Sequence, residues 1–77
     1  MKVTLQLKGP LKKYSNDTDP YEMQIDRDSI TVQELMKILK IPSSSISFIL
    51  VDGSKAEFDT ELRGGEVIIV NPRVAGG

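Results

Sequence analysis

Val3, Leu5 and Leu7 alternate with Thr4, Gln6 and Lys8, a period of two that predicts a half-buried strand from Lys2 to Lys8. Gly9-Pro10 ends it. Leu11 to Pro20 then reads as a polar connection, with turn chemistry at Ser15-Asn16-Asp17 and Asp19-Pro20. A second alternation sets Tyr21, Met23 and Ile25 against Glu22, Gln24 and Asp26, predicting an antiparallel partner for the first strand.

The period then changes. Val32, Leu35, Met36 and Leu39 recur at helical spacing, with Gln33, Glu34, Lys37 and Lys40 pointing elsewhere. Thr31-Val32-Gln33-Glu34 has the form of a capping box, in which the Thr31 hydroxyl and the Glu34 carboxylate each satisfy a backbone N–H of the first turn. Lys37 and Lys40 suit the negative end of the helix dipole, and Pro42 stops the helix. The spacing predicts a helix from Val32 to Leu39 or Lys40.

Ser43 to Ser45 is a polar exit. Ile46 to Val51 is an apolar run of strand length that Asp52-Gly53 turns. A minor strand is expected at Ala56–Phe58, then a tight connection at Arg63-Gly64-Gly65-Glu66. Val67 to Val70 is apolar at consecutive positions and predicts a last strand buried on more than one side. The order strand, strand, helix, strand, minor strand, strand predicts an α+β domain over residues 1–72. Its mixed sheet has four to five strands, with one helix packed on one face. A right-handed crossover through the helix makes the first and last strands parallel neighbours near the centre. That is the ubiquitin-like β-grasp arrangement. Leu5, Leu35, Leu39, Phe48, Ile68 and Val70 are expected in its core.

Seventy-seven residues form one domain near the lower limit for a self-sufficient core. Cysteine is absent, which removes disulfides and thiolate metal sites. Histidine is absent too, and with it the usual general base, the commonest metal ligand and every Ser-His or Cys-His pair. A self-contained active site is not expected, nor a metal site. Ten basic against eleven acidic residues leave a formal charge of −1, which does not suggest a nucleic-acid partner. The cluster Lys8, Lys12 and Lys13 is soon followed by Asp17, Asp19 and Glu22 and reads as a solvated loop. No signal-peptide pattern follows Met1 and no apolar run is long enough for a bilayer, so a cytoplasmic protein without a membrane partner is expected.

The remaining feature is Val74-Ala75-Gly76-Gly77, which follows directly on the apolar strand and Pro72-Arg73. Pro72 cannot donate a ladder hydrogen bond, so strand pairing is expected to stop there. Glycine adds nothing to a core, but its backbone is thin and free in φ, suited to a narrow channel. Residues 73–77 read as a flexible tail reaching at most ~16–18 Å, able to carry a terminal carboxylate into another protein's active site.

The stretch Leu62-Arg63-Gly64-Gly65-Glu66-Val67-Ile68-Ile69-Val70-Asn71-Pro72-Arg73-Val74-Ala75-Gly76-Gly77 resembles the ending of the MoaD/ThiS sulfur carriers. Gly65 and Glu66 match the glycine and second acid of the family's turn. Pro72 matches its first proline, and Val74, Gly76 and Gly77 match its tail. Leu50-Val51-Asp52-Gly53 is similar to the family's earlier strand and turn. Gly64, Asn71 and Arg73 depart from the pattern; Arg73 replaces a second proline and adds a positive charge to the tail.

The resemblance implies a carrier rather than an enzyme, with no bound cofactor. An ATP-dependent, ubiquitin-activating-like enzyme adenylates Gly77, and a sulfur donor converts it to a thiocarboxylate for molybdopterin or thiamine biosynthesis. Gly77 is then the chemical site and Gly76 gives clearance. The implied partners are the adenylating enzyme, the sulfur donor and the large subunit of molybdopterin synthase or thiazole synthase, with the free carrier a monomer. Docking needs an apolar patch near the tail, for which Ile69, Val74 and Ala75 are candidates together with Leu62; plain core packing is the other reading of Ile69 and Leu62. Two alternatives stand beside this: a ubiquitin-like modifier joined to lysines through Gly77, and a β-grasp binding module without chemistry.

Overall fold

A computed structural model describes residues Met1–Arg73; the candidates Val74, Ala75, Gly76 and Gly77 lie outside the described residues. Strand β1 (Lys2–Leu7) buries Val3, Leu5 and Leu7, as its alternation requires. Strand β2 (Tyr21–Gln24) pairs with it antiparallel, placing Leu5 opposite Tyr21 and Val3 opposite Met23. The segment between them is more ordered than its polar composition suggests. Gly9–Ser15 winds into a 3-10 helix that buries Leu11 and Ser15, and the Ser15 hydroxyl donates to the carbonyls of Lys12 (3.1 Å) and Thr18 (3.0 Å). One leucine in a polar stretch has no periodicity, which is why the pattern shows only a loop.

Ile30–Thr31 forms a short strand, β3, and leads into helix α1 (Val32–Leu39). Both halves of the capping box are formed. Thr31 Oγ1 accepts from the Glu34 N–H at 3.1 Å, and Glu34 Oε1 accepts from the Thr31 N–H at 3.1 Å. The N–H groups of Val32 and Gln33, which the helix itself cannot satisfy, donate to the carbonyls of Thr60 and Phe58, each at 2.9 Å. Lys40 takes the left-handed conformation with φ 62° and closes the helix, after which Ile41 turns back into the core. Val32, Leu35 and Met36 are buried against the sheet, whereas Leu39 is only half-buried.

Strand β4 (Ile46–Val51) turns at Asp52 (φ 50°) and Gly53 (φ 87°) into β5 (Ser54–Ala56). Two consecutive positive φ angles match the twist of a two-residue hairpin, so the minor strand begins at once at Ser54 rather than at Ala56. A further strand, β6 (Glu61–Leu62), pairs with β3 in a small second sheet. Two residues per strand are too few to show a period.

The last strand, β7 (Val67–Pro72), lies parallel to β1, with Leu5 beside Ile68 and Leu7 beside Val70, and antiparallel to β4. Among the described residues the main sheet has five strands in the order β2-β1-β7-β4-β5, with the terminal strands adjacent and parallel inside it. The helix packs on one face, and the fold is a ubiquitin-like β-grasp. The expectation that β7 is buried on more than one side is corrected: Ile68 and Val70 are fully buried, whereas Val67 is 37% exposed. Among the described residues only one face of the sheet carries a helical layer, so β7 alternates despite its uniformly apolar sequence.

Candidate functional site

Successive side chains of a strand point to opposite faces, so Val67, Ile69 and Asn71 share the face of β7 away from the core residues Ile68 and Val70. Directly opposite partners share a face as well. Ile69 is therefore flanked by Gln6 on β1 and Leu50 on β4, and Asn71 lies opposite Phe48. Phe48, Leu50, Val67 and Ile69 make an apolar strip on the uncovered side of the sheet. Lys2 and Glu22, ion-paired at 3.2 Å, and Lys55 opposite Leu50 stand toward its borders. Beside Phe48, the Asn71 Nδ2 atom is buried and has no hydrogen-bond partner among the described residues.

Two assignments change place in the structure. Phe48, expected in the core, is 40% exposed on the outer face. The pairing of β4 with β7 is irregular between Ile46 and Phe48, and this shift in phase turns Phe48 outward while Ile46 and Ile49 stay inside. Leu62, named above as a docking candidate, is 0% exposed; paired with Ile30 in the small sheet, it belongs to the core. Ile69 lies half-buried on the outer face. The alternation Ile46-Ser47-Phe48 puts Phe48 on the inner face with Ile46, and the apolar Ile49–Val51 that follows gives no sign of the bulge that reverses it.

The strip leads to the point where the chain leaves the sheet. Pro72 is the last residue of β7 and faces Ile46 across the pair. One further backbone bond follows, from the Arg73 N–H to the Ser45 carbonyl at 2.9 Å. At this exit a groove of about 310 Å3 opens between the 3-10 helix Gly9–Ser15 and the turn Ser43–Ser45, with Pro72 and Arg73 in its wall. Upstream, a rigid turn aims β7: Glu66 accepts the backbone N–H groups of Arg63 (2.8 Å) and Gly64 (2.7 Å), and Asp52 Oδ1 accepts that of Val67 (2.9 Å).

Among the described residues no group of three or more histidines, cysteines or carboxylates is placed to hold a metal ion, and no helix is long and apolar enough to cross a membrane. The arrangement can hold the root of a tail firmly beside an apolar face.

Several solved structures share this fold. SAMP1 from Haloferax volcanii is 15% identical, with both chains fully covered and a TM-score of 0.73. The thiamine biosynthesis protein ThiS from Geobacter metallireducens is 20% identical over 96% of this chain and 99% of its own, with a TM-score of 0.63. The Helicobacter pylori complex of subunits 1 and 2 of molybdopterin-converting factor contains a chain 23% identical, with full coverage of both and a TM-score of 0.59. These agree with the resemblance to MoaD/ThiS proteins drawn from the tail and turn. No curated protein matches the sequence. The pattern of the Mut7-C ubiquitin family matches residues 2–76, from the first strand to the first glycine of the closing pair, and the chain belongs to that family.

Proposed function

We propose that this protein is a sulfur carrier whose Gly77 carboxylate is free in the working form, is adenylated by a partner enzyme and is converted to a thiocarboxylate. The supporting observation is the placement of β7: the central strand delivers the chain to a tethered exit at Arg73, beside the outer-face strip of exposed Phe48 and Val67 and half-buried Leu50 and Ile69. A carboxylate is a poor electrophile until one oxygen becomes a leaving group. The partner supplies ATP: a Gly77 oxygen attacks the α-phosphate and releases pyrophosphate. Hydrosulfide then attacks the acyl carbon and expels AMP, with its proton going to solvent. If the donor is a persulfide, the product is an acyl disulfide, and a thiol must cleave it reductively to leave the thiocarboxylate. The chain's own part is positioning, since the partner holds the phosphates and the developing charge. Gly76, with the small Ala75 before it, gives a thin approach to that site, and Val74 serves docking.

In this reading the carrier is cytoplasmic, monomeric when free and without a bound cofactor. It docks through Ile69 and its neighbours on the adenylating enzyme. It then delivers sulfur to a larger subunit, as the Helicobacter pylori pair of subunits suggests by analogy.

The test mixes the protein with ATP, sulfide and a candidate adenylating enzyme and follows intact mass. Replacement of one oxygen by sulfur at Gly77, lost when Gly77 is deleted or when Gly76→Val blocks entry, supports the carrier. Covalent ladders on other proteins favour a modifier joined to lysines through Gly77. An unchanged mass with every candidate enzyme favours a binding module. Pyrophosphate exchange at the normal rate by the variant lacking Gly77 overturns both adenylate-based readings.

A further inference from the structure

The apolar strip lies on the outer face of the sheet, but the groove at the tail exit lies on the other side. Pro72 shares its phase with the buried Ile68 and Val70, so the groove opens away from Ile69 and Asn71. Pro10 and Pro72 contribute apolar surface to it over the buried Leu11, with the half-buried Tyr14 beside them. Its two charged lining residues are both cations, Lys13 and Arg73, in a chain whose formal charge is −1. Lys13 Nζ stands 5.3 Å from the centroid of the Tyr14 ring, a cation–π contact that favours holding the ammonium at the groove. Among the described residues neither cation forms an ion pair, and no carboxylate lines the groove. Ser44 and Ser45 add hydroxyls on the facing wall.

From this geometry we infer that the groove docks an acidic, extended segment of the protein that grasps the tail, with an apolar side chain of that segment resting on Pro10 and Pro72 and its carboxylates meeting Lys13 and Arg73. The inference rests on the carrier reading for the identity of the partner. A bare phosphate would leave the apolar floor unused. A nucleic acid would find two cations and one aromatic ring already engaged by Lys13, where an extended charged track and stacking faces are needed. An acidic peptide uses floor and rim together. The groove is also continuous with the exit, because Arg73 belongs to both. A partner that holds the tail passes across it, and charge complementarity there speeds encounter and fixes orientation.

The experiment titrates the full chain with a capped hexapeptide Glu-Leu-Glu-Glu-Leu-Glu and follows backbone amide chemical shifts. The counterpart with lysine in place of each glutamate, inorganic pyrophosphate and single-stranded oligo-dT serve as comparisons. The expected result is shifts at Leu11, Tyr14, Ser44, Ser45 and Arg73 with the acidic peptide alone. Lys13→Glu weakens that binding about ten-fold, and salt at about 1 M, where the Debye length is ~3 Å, weakens it further. A variant lacking Gly76 and Gly77 binds the peptide unchanged. No shift at the groove, equal shifts with oligo-dT, or equal binding of pyrophosphate overturns the inference. Normal thiocarboxylate formation by a protein whose groove ignores the acidic peptide counts against the groove alone. Peptide binding by a protein that no enzyme thiolates counts against the carrier reading alone.

Discussion

The backbone N–H of Arg73 donates to the carbonyl oxygen of Ser45 at 2.9 Å, so the chain is still fastened to the β4 side of the sheet one residue beyond Pro72. Four residues remain between that anchor and the Gly77 carboxylate, with a reach of at most ~13–14 Å. Deleting Ala75 removes ~3.3–3.6 Å of that reach. The expected outcome is a large drop in pyrophosphate exchange by the adenylating enzyme with an unchanged melting curve, read by the two assays side by side.

Leu62 and Ile69 separate stability from docking. Leu62 is fully buried, so Leu62→Ala should cost about 2–5 kcal/mol in denaturant unfolding. Ile69 is half-buried on the outer face, and Ile69→Ala should cost only about 1 kcal/mol. It should nevertheless weaken the complex with the adenylating enzyme about ten-fold, measured by calorimetry.

The start of α1 gives the protein an acid-sensitive element. The hydrogen bond from the Thr31 backbone holds the Glu34 carboxyl below the usual carboxylate range, helped by hydrogen bonds from the Arg27 and Thr31 side chains. A carboxylate whose pKa is lower in the folded state binds more protons when unfolded at acid pH. Its stabilisation is therefore complete above the unfolded value of about 4.3 and fades as pH falls through the lower folded value. Glu34→Gln should lose stability near neutral pH and show a flatter decline in melting temperature on acidification. Thr31→Ala should cost about 1 kcal/mol near neutral pH.

At the turn before β7, Gly64 has φ +114° and a Cβ built on it would stand 3.2 Å from the Cβ of Met1. Gly64→Ala should lower stability by about 1–3 kcal/mol, combining backbone strain with that contact. Gly65, at φ +86° with nothing within 4 Å of a Cβ, should lose only about 1 kcal/mol when changed to Ala. Urea midpoints of the two variants check the order.

Much of the fold was legible because its main elements have a clear phase. The alternation at Val3, Leu5 and Leu7 marked β1, and the capping box at Thr31 and Glu34 marked the start of α1. The Asp52-Gly53 turn was legible from its residue types. What stayed hidden had no phase to show, or a misleading one. The bulge at Ser47 breaks the simple alternation of Ile46, Ser47 and Phe48, Leu62 sits in a strand of two residues, and Leu11 is a lone buried leucine in a 3-10 helix. At the site, the residues of β7 were legible, but their division into two faces was not, since Val67 to Val70 are alike in chemistry and differ only in what covers them. The cationic groove was illegible because it joins Lys13 to Arg73, residues far apart in sequence that only the packing of the 3-10 helix against the end of β7 brings together.

Strand β7 is both the middle of the sheet and the last strand of the described chain to leave the ribosome. Neither β1 with β2 nor β4 with β5 can join into one sheet before Val67–Pro72 has been synthesised, so closure of the core waits on nearly the whole sequence. Copies truncated before Val67–Pro72 cannot assemble the five-stranded sheet, and they lose the outer apolar strip and the anchored exit at Arg73 together with the core.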